Sequence, residues 1–185
     1  MTQELYRAIA ILAILAPGLH IATDIWEVVQ SGFSALQLGL NYLAFILIPF
    51  LMMGLYAVQL PRIKWPGLAG ALLYGAAFIY FAHSTLSALE YSVRDYAALW
   101  TGLGKTYTLH GLIMIVGGAL FAIYSLQARV LWRPGIVAFL LGLAMNLVVA
   151  AVQWPEILQT PGSTVRNAGL ISIGLKLLLD KYEGQ

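Results

Sequence analysis

The sequence predicts an all-α integral membrane protein: a single polytopic domain over residues 1–185, built as a six-transmembrane-helix bundle with a short sixth helix and both termini in the cytoplasm. Three observations predict it. The chain is 61% hydrophobic and 10% charged, whereas an average soluble domain is about 25% charged, and its mean hydropathy is +0.83. Its apolar runs have the length of membrane spans, which need roughly 20 residues each. The polar residues that interrupt those runs recur at helical spacing and lie toward one end of each run. The same composition excludes several chemistries. With no cysteine there is no thiol nucleophile, disulfide, Cys-ligated zinc, iron–sulfur cluster or covalent c-type haem. A formal charge of +2, thinly scattered, does not suit nucleic-acid binding.

The first span runs over Leu5–Val29. It outlasts the apolar region of a signal peptide and lacks a small-residue cleavage motif, so it reads as a retained helix. His20, Asp24 and Glu27 follow i, i+4, i+7 on one face, with Trp26 beside them, and Pro17 one turn earlier removes an amide and predicts a kink. The second span, Phe33–Val58, offers Gln37 and Asn41. The third, Pro66–Tyr91, carries the longest polar stripe, Tyr80, His83, Ser87 and Glu90, continuing to Arg94. The fourth, Lys105–Gln127, offers Tyr107, His110 and Met114; the fifth, Pro134–Trp154, opens on a well-placed proline and offers Asn146, Gln153 and Trp154. The sixth segment, Thr164–Leu179, is short for a span and carries Asn167 and Lys176, the latter near enough to its end to snorkel. Pro61–Trp65 and Arg129–Arg133 read as tight turns, and Val93–Gly104 and Pro155–Ser163 as longer linkers. Gly75, Gly111, Gly117, Gly118 and Gly142 are expected to let backbones approach closely.

Orientation follows from the basic residues. Arg7, Arg62, Lys64, Arg129, Arg133, Lys176 and Lys181 fall on one side, and Arg94, Lys105 and Arg166 on the other. Both termini are thus expected inside, with the polar residues nearer the non-cytoplasmic face of a bacterial inner membrane or an equivalent organelle membrane. At 1.5 Å per residue, His20, Asn41, His83, His110 and Asn146 lie roughly 8–13 Å below that face on five different helices. Such a layer predicts a shared pocket, because polar groups inside a bilayer are costly and usually face a bundle interior or a cavity. Individually, each Asn also reads as interhelical glue, Glu90 and Arg94 as an i, i+4 pair, and Trp26, Trp100 and Trp154 as interfacial aromatics.

Three chemistries suit the layer. The first is metal-free acid–base catalysis, an isomerisation, cyclisation or hydrolysis of an apolar lipid- or isoprenoid-like substrate. His20, Asp24, His83, Glu90 and His110 are its catalytic candidates, and Trp26, Asn41, Tyr80, Tyr107, Asn146, Gln153 and Trp154 its substrate-binding candidates, with Tyr80 and Tyr107 as hydrogen-bond donors and Trp26 or Trp154 facing developing positive charge. In theme only, His20 and Asp24 four residues apart resemble the His and Glu that emopamil-binding-type sterol isomerases place inside a small bundle. The second is a zinc or iron site formed by His20, His83 and His110 with Asp24 or Glu90; no HExxH motif or multi-His box accompanies it. The third is non-covalent haem b between two of the three histidines. Small-molecule binding or transport is the non-enzymatic alternative, although the two halves show no inverted repeat. Acid–base chemistry is the preferred reading, with membrane lipids and a hydrophobic small molecule as partners, and with oligomerisation left open.

Overall fold

The described part of the chain, residues 1–152 and 158–180 of a computed structural model, is helical throughout and contains no strand. Six helices follow in order: α1 Gln3–Gln30, α2 Ala35–Val58, α3 Trp65–Glu90, α4 Tyr96–Ala128, α5 Arg133–Val152 and α6 Gln159–Leu179. Helices α1 to α5 are long and apolar enough to cross a membrane, the signature of a multi-pass membrane protein. Helix α6 has 21 residues, a length that would cover roughly 30 Å, but it is too polar to join the other five.

The helix starts follow local chemistry. Thr2, Ser34 and Asp95 accept hydrogen bonds from the backbone N–H three residues on, at 3.3, 3.3 and 2.9 Å, satisfying amides that have no partner inside the helix. Helix α3 places Pro66 in its first turn, where a missing amide costs nothing. Two boundaries differ from the sequence expectation. The expected linker Val93–Gly104 is helical from Tyr96 onward because Asp95 caps it, and α4 is two helical pieces meeting at Gly104, whose φ of 54° and ψ of −133° break the helix. The indole N–H of Trp100 spans that break to Thr108 Oγ1 at 3.2 Å. Helix α6 begins at Gln159, five residues before the expected Thr164. Its polar first turn finds partners: Asn146 Nδ2 donates to the Gln159 carbonyl at 2.9 Å, and Ser163 Oγ to the Thr160 carbonyl at 3.0 Å.

Each helix packs on its neighbours in sequence, and α6 returns to pack on α1, so the helices close into a ring. Inside it lies an aromatic and aliphatic core around Phe45, Ile48, Leu55, Tyr74, Phe78, Phe121, Phe139 and Leu143. Two seams are exceptionally close. On α5 and α6, Gly135 and Gly142 face Gly169 and Gly162. A Cβ at Gly169 would stand 2.6 Å from the Gly135 carbonyl oxygen, and one at Gly142 would strike the Arg166 backbone nitrogen. On α3 and α4, a Cβ at Gly117 would stand 2.5 Å from the Tyr74 nitrogen. Of the glycines expected to permit close approach, Gly117, Gly118 and Gly142 do so most tightly and Gly75 meets Pro49 at 3.3 Å, whereas Gly111 has nothing within 4 Å. Small residues matter here because lipid gives helices no hydrophobic reason to associate, so contact distance sets the attraction.

The α5–α6 seam yields the first prediction. Gly142→Val is expected to destabilise the detergent-solubilised protein by roughly 1–3 kcal/mol, the usual cost of overpacking. Gly39→Ala, where the added methyl meets nothing within 4 Å, should leave the melting temperature at or above wild type. Loss of the monodisperse peak on heating followed by size exclusion measures both; equal melting of Gly142→Val and wild type would contradict the close seam.

Candidate functional site

The C-terminal halves of α1, α3 and α5 and the N-terminal halves of α2, α4 and α6 converge on a single cavity of about 470 Å³. That size is within the range of small-molecule sites, roughly 300–1,000 Å³. Its walls are largely apolar: Phe33, Leu38, Phe45, Phe78, Phe81, Leu99, Met114 and Ile115. An aromatic group roofs one side, with Trp100 and Tyr96 each within 6 Å, centroid to centroid, of Tyr107.

The polar lining is organised around Asp24. One carboxylate oxygen accepts a hydrogen bond from Ser163 Oγ at 2.5 Å. The other lies 3.6 Å from His20 Nε2, one helical turn below on the same helix. The His20 side chain is 7% exposed and that of Asp24 18%, so the carboxylate keeps an outlook on the cavity. The imidazole is wedged edge-on against Phe45 and Phe78, at 4.8 and 5.9 Å between centroids, and its Nδ1 is buried without a hydrogen-bond partner. Nearby, Thr23 Oγ1 lies 3.2 Å from Asn41 Oδ1 and Gln37 Nε2 donates to the Thr23 carbonyl at 3.2 Å. These bonds tie α2 to α1 beside the site. Across the cavity, Asn146 Nδ2 donates to Gln159 Oε1 at 2.6 Å and so ties α5 to α6.

A guanidinium stands deepest on the α6 side. Arg166 is 3% exposed, one turn below Ser163, with its carbon 5.7 Å from the centre of the Phe78 ring. Its Nη1 faces Met114 Sδ at 3.2 Å and Asn146 Oδ1 at 3.4 Å. The mouth carries the opposite charge: Glu27, whose Oε1 accepts from the Tyr96 amide at 3.0 Å, and Asp95 both line the cavity.

The candidates drawn from the sequence divide. His20, Asp24, Asn41, Tyr107 and Asn146 line the cavity. His83 and Glu90 do not; both are exposed on the outer side of α3, His83 in a shallow apolar groove with Tyr42, Ile46, Phe50 and Leu86. The buried face of α3 is instead Tyr74, Phe78, Phe81, Ser84, Thr85 and Ala88. The polar stripe is therefore not the inner one, because a bilayer does not drive apolar residues inward. His110 stacks flat on Tyr80 at 3.6 Å and donates from Nδ1 to the Thr106 carbonyl at 2.8 Å; neither ring lines the cavity, and nor does Trp26. Gln153 and Trp154 lie outside the described residues. Of the three histidines only His20 reaches the cavity, and no group of three or more His, Cys, Asp or Glu side chains gathers for a metal ion among the described residues.

Arg166 and Ser163 were not among the sequence candidates. With the sixth span placed at Thr164, Arg166 reads as an interfacial cation and Ser163 as linker. A helix starting at Gln159 instead sets Arg166 roughly 10 Å from its end. The available clue was the spacing of Gly162, Ser163, Arg166, Asn167, Gly169 and Leu170, all on one buried face. No protein-family model, curated protein or solved structure matches the chain.

The outward placement of His83 is directly testable, since the chain has no native cysteine. A nitroxide on His83→Cys in reconstituted membranes is expected to collide with dissolved oxygen as freely as a lipid-facing label. One on Thr85→Cys, 4% exposed at its native residue, should be several-fold less accessible. A shielded label at position 83 would return that histidine to the interior.

Proposed function

We propose that the protein carries out metal-free acid–base chemistry, an isomerisation or cyclisation, on an apolar small molecule held in the membrane. The observation that carries this reading is Asp24: a carboxyl group on the wall of an apolar cavity, held by Ser163 on one oxygen and beside His20 on the other. A carboxyl group on a cavity wall is within reach of a bound molecule and can serve it as a general acid. In an isomerisation Asp24 delivers a proton to one carbon of a double bond, the other becomes cationic, and the carbon beyond it returns a proton to the Asp24 carboxylate, so the double bond moves by one position and the reaction balances without a co-reactant. His20 is placed to steady the carboxylate formed between the two steps. Aromatic faces of Phe45, Phe81 and Trp100 would stabilise developing positive charge in the substrate. Ser163 followed by Asp24 and His20 is not a nucleophilic triad, for the histidine does not stand beside the hydroxyl.

The same reading orients the molecule. With six spans, both termini face the cytoplasm and the cavity opens toward the non-cytoplasmic side. In support, Arg7, Arg62, Lys64, Arg129, Arg133 and Lys176 cluster at the end opposite the cavity, while Arg166 is buried within it. Only Arg94 and Lys105 then remain as exposed basic residues on the cavity side.

Binding or passage of the ligand without conversion is the second reading. It is favoured by the polar groups already engaged by protein, since Thr23, Gln37 and Asn146 join helices to one another. Haem or metal ligation through His20, His83 and His110 draws no support from their separate placements.

Deuterium transfer separates the two readings. Membranes containing the wild-type chain, incubated in heavy water, should accumulate deuterium in one apolar component detected by mass spectrometry. Asp24→Asn is expected to slow that incorporation by about 10²-fold or more, the usual scale for a lost general acid, and Ser163→Ala by about tenfold, the worth of one hydrogen bond. Undiminished incorporation with Asp24→Asn in folded protein would end the acid–base reading. A ligand that co-purifies stoichiometrically but never exchanges would favour binding alone.

A further inference from the structure

We propose that Arg166 is an anion anchor, so that the cavity accepts a monoanionic amphiphile: an apolar body ending in a carboxylate that seats against the guanidinium. This inference names the ligand class of the site and rests on the reading of the cavity as a binding site for an apolar molecule.

The starting point is a cation without a counter-ion among the described residues. Arginine does not deprotonate in proteins and presents five N–H donors. Here one nitrogen, Nη1, has both recorded hydrogen bonds, to a thioether sulfur and to an amide oxygen at the long end of the range. Sulfur is a weak acceptor. Nε is buried and has no partner at all. No carboxylate oxygen lies within 4.0 Å of the guanidinium among the described residues. A buried charge left in this state is strongly unfavourable unless something pairs with it.

The acids that line the same cavity are already engaged. Asp24 is held by Ser163 and sits beside His20. Glu27 accepts from the Tyr96 amide. Asp95 caps the start of α4 and lies 3.5 Å from Arg94. None is free to swing to Arg166 without giving up a bond that holds the site together. A ligand can bring the missing charge, and its planar carboxylate matches the fork of the guanidinium. The Phe78 ring supports one face of that fork, and Phe45 and Phe81 offer the apolar wall along which the rest of the ligand would lie.

Charge along the cavity limits the ligand further. The guanidinium is deep, and Glu27 and Asp95 line the mouth. A ligand carrying a second negative charge would place it among those acids. A single anionic end seated at the guanidinium, with an uncharged body above it, keeps its charge away from those acids.

The experiment compares tritiated dodecanoate with tritiated dodecanol, which share a chain and differ in charge. Saturable binding of each to the full chain in neutral phosphatidylcholine nanodiscs is measured by scintillation proximity at alkaline pH. Wild type is expected to bind the acid at least roughly tenfold more tightly than the alcohol, since a charge-assisted bidentate pair replaces a neutral hydrogen bond. Arg166→Gln should abolish that preference while dodecanol still binds, and Arg166→Lys should keep part of it. Equal binding of acid and alcohol by wild type overturns the anchor and leaves the apolar cavity standing. Saturable binding of neither removes the apolar cavity itself as a ligand site, and the anchor with it. An acid preference that survives in Arg166→Gln assigns the anion to another group and also overturns the proposal. Where Arg166→Gln does not fold, the wild-type comparison and the lysine variant decide.

Discussion

A helix that cannot turn every side to lipid governs this structure. Helix α6 carries Ser163, Arg166 and Asn167 on one face, and all three are buried. Placing a guanidinium against hydrocarbon is costly, so that face must turn inward. Turning inward requires α5 and α1 to come close, and the glycines make this feasible. Gly162 and Gly169 lie against Gly142 and Gly135 of α5, and a Cβ at Gly174 would stand 2.8 Å from the Ala10 carbonyl of α1. Once α6 is held between α1 and α5 the ring closes, and the polar ends of six helices are left facing one another around a common space. The cavity is thus a consequence of where the polar face of α6 can go.

Polar groups around that space divide by whether protein already satisfies them. Thr23, Gln37, Asn41, Asn146 and Gln159 join α1 to α2 and α5 to α6, which is the ordinary use of amides and hydroxyls between membrane helices. Asp24 is also hydrogen-bonded, yet its carboxyl group keeps a share of the cavity wall. His20 Nδ1 and Arg166 Nε are buried and unpartnered. Buried polar groups nearly always find partners, and these two lack one beside the cavity. Gln37 Oε1 and both polar atoms of the Asn167 side chain also lack partners; neither residue lines the cavity, and nothing in the structure explains them.

The α3–α4 connection adds a roof whose construction depends on local chemistry. Asp95 starts a helical piece where a loop would otherwise run, and Gly104 ends it at a positive φ that other residues rarely adopt. The piece is fastened to the α1–α2 corner, where the Phe33 amide donates to the Arg94 carbonyl at 2.8 Å and the Tyr96 amide to Glu27. Trp100, Tyr96 and Tyr107 are brought over the cavity in this way. These rings shield one side of the cavity, and shielding from water strengthens electrostatic interactions inside a site.

Several of these features were present in the one-dimensional pattern. Apolar run length gave the helical membrane class, and the i, i+4 spacing placed His20 and Asp24 on one face. Constant helix rise set His20, Asn41, His83, His110 and Asn146 at one level, and of these His20, Asn41 and Asn146 line the cavity. Which face of each helix turns inward was different. On α3 the polar stripe of His83 and Glu90 faces outward and Phe78, Phe81 and Thr85 face in. In a bilayer, packing geometry and not hydrophobicity selects the interior, so polar periodicity carries little information about it. Arg166 shows the same limit from the other direction. Its role depends on a helix start five residues earlier than composition suggests, and on acids committed elsewhere by contacts as distant in sequence as Asp24 and Ser163. Spacing along a chain specifies neighbours on one helix; only the closing of the ring decides which helix meets which, and therefore which charges are paired and which are left unpaired.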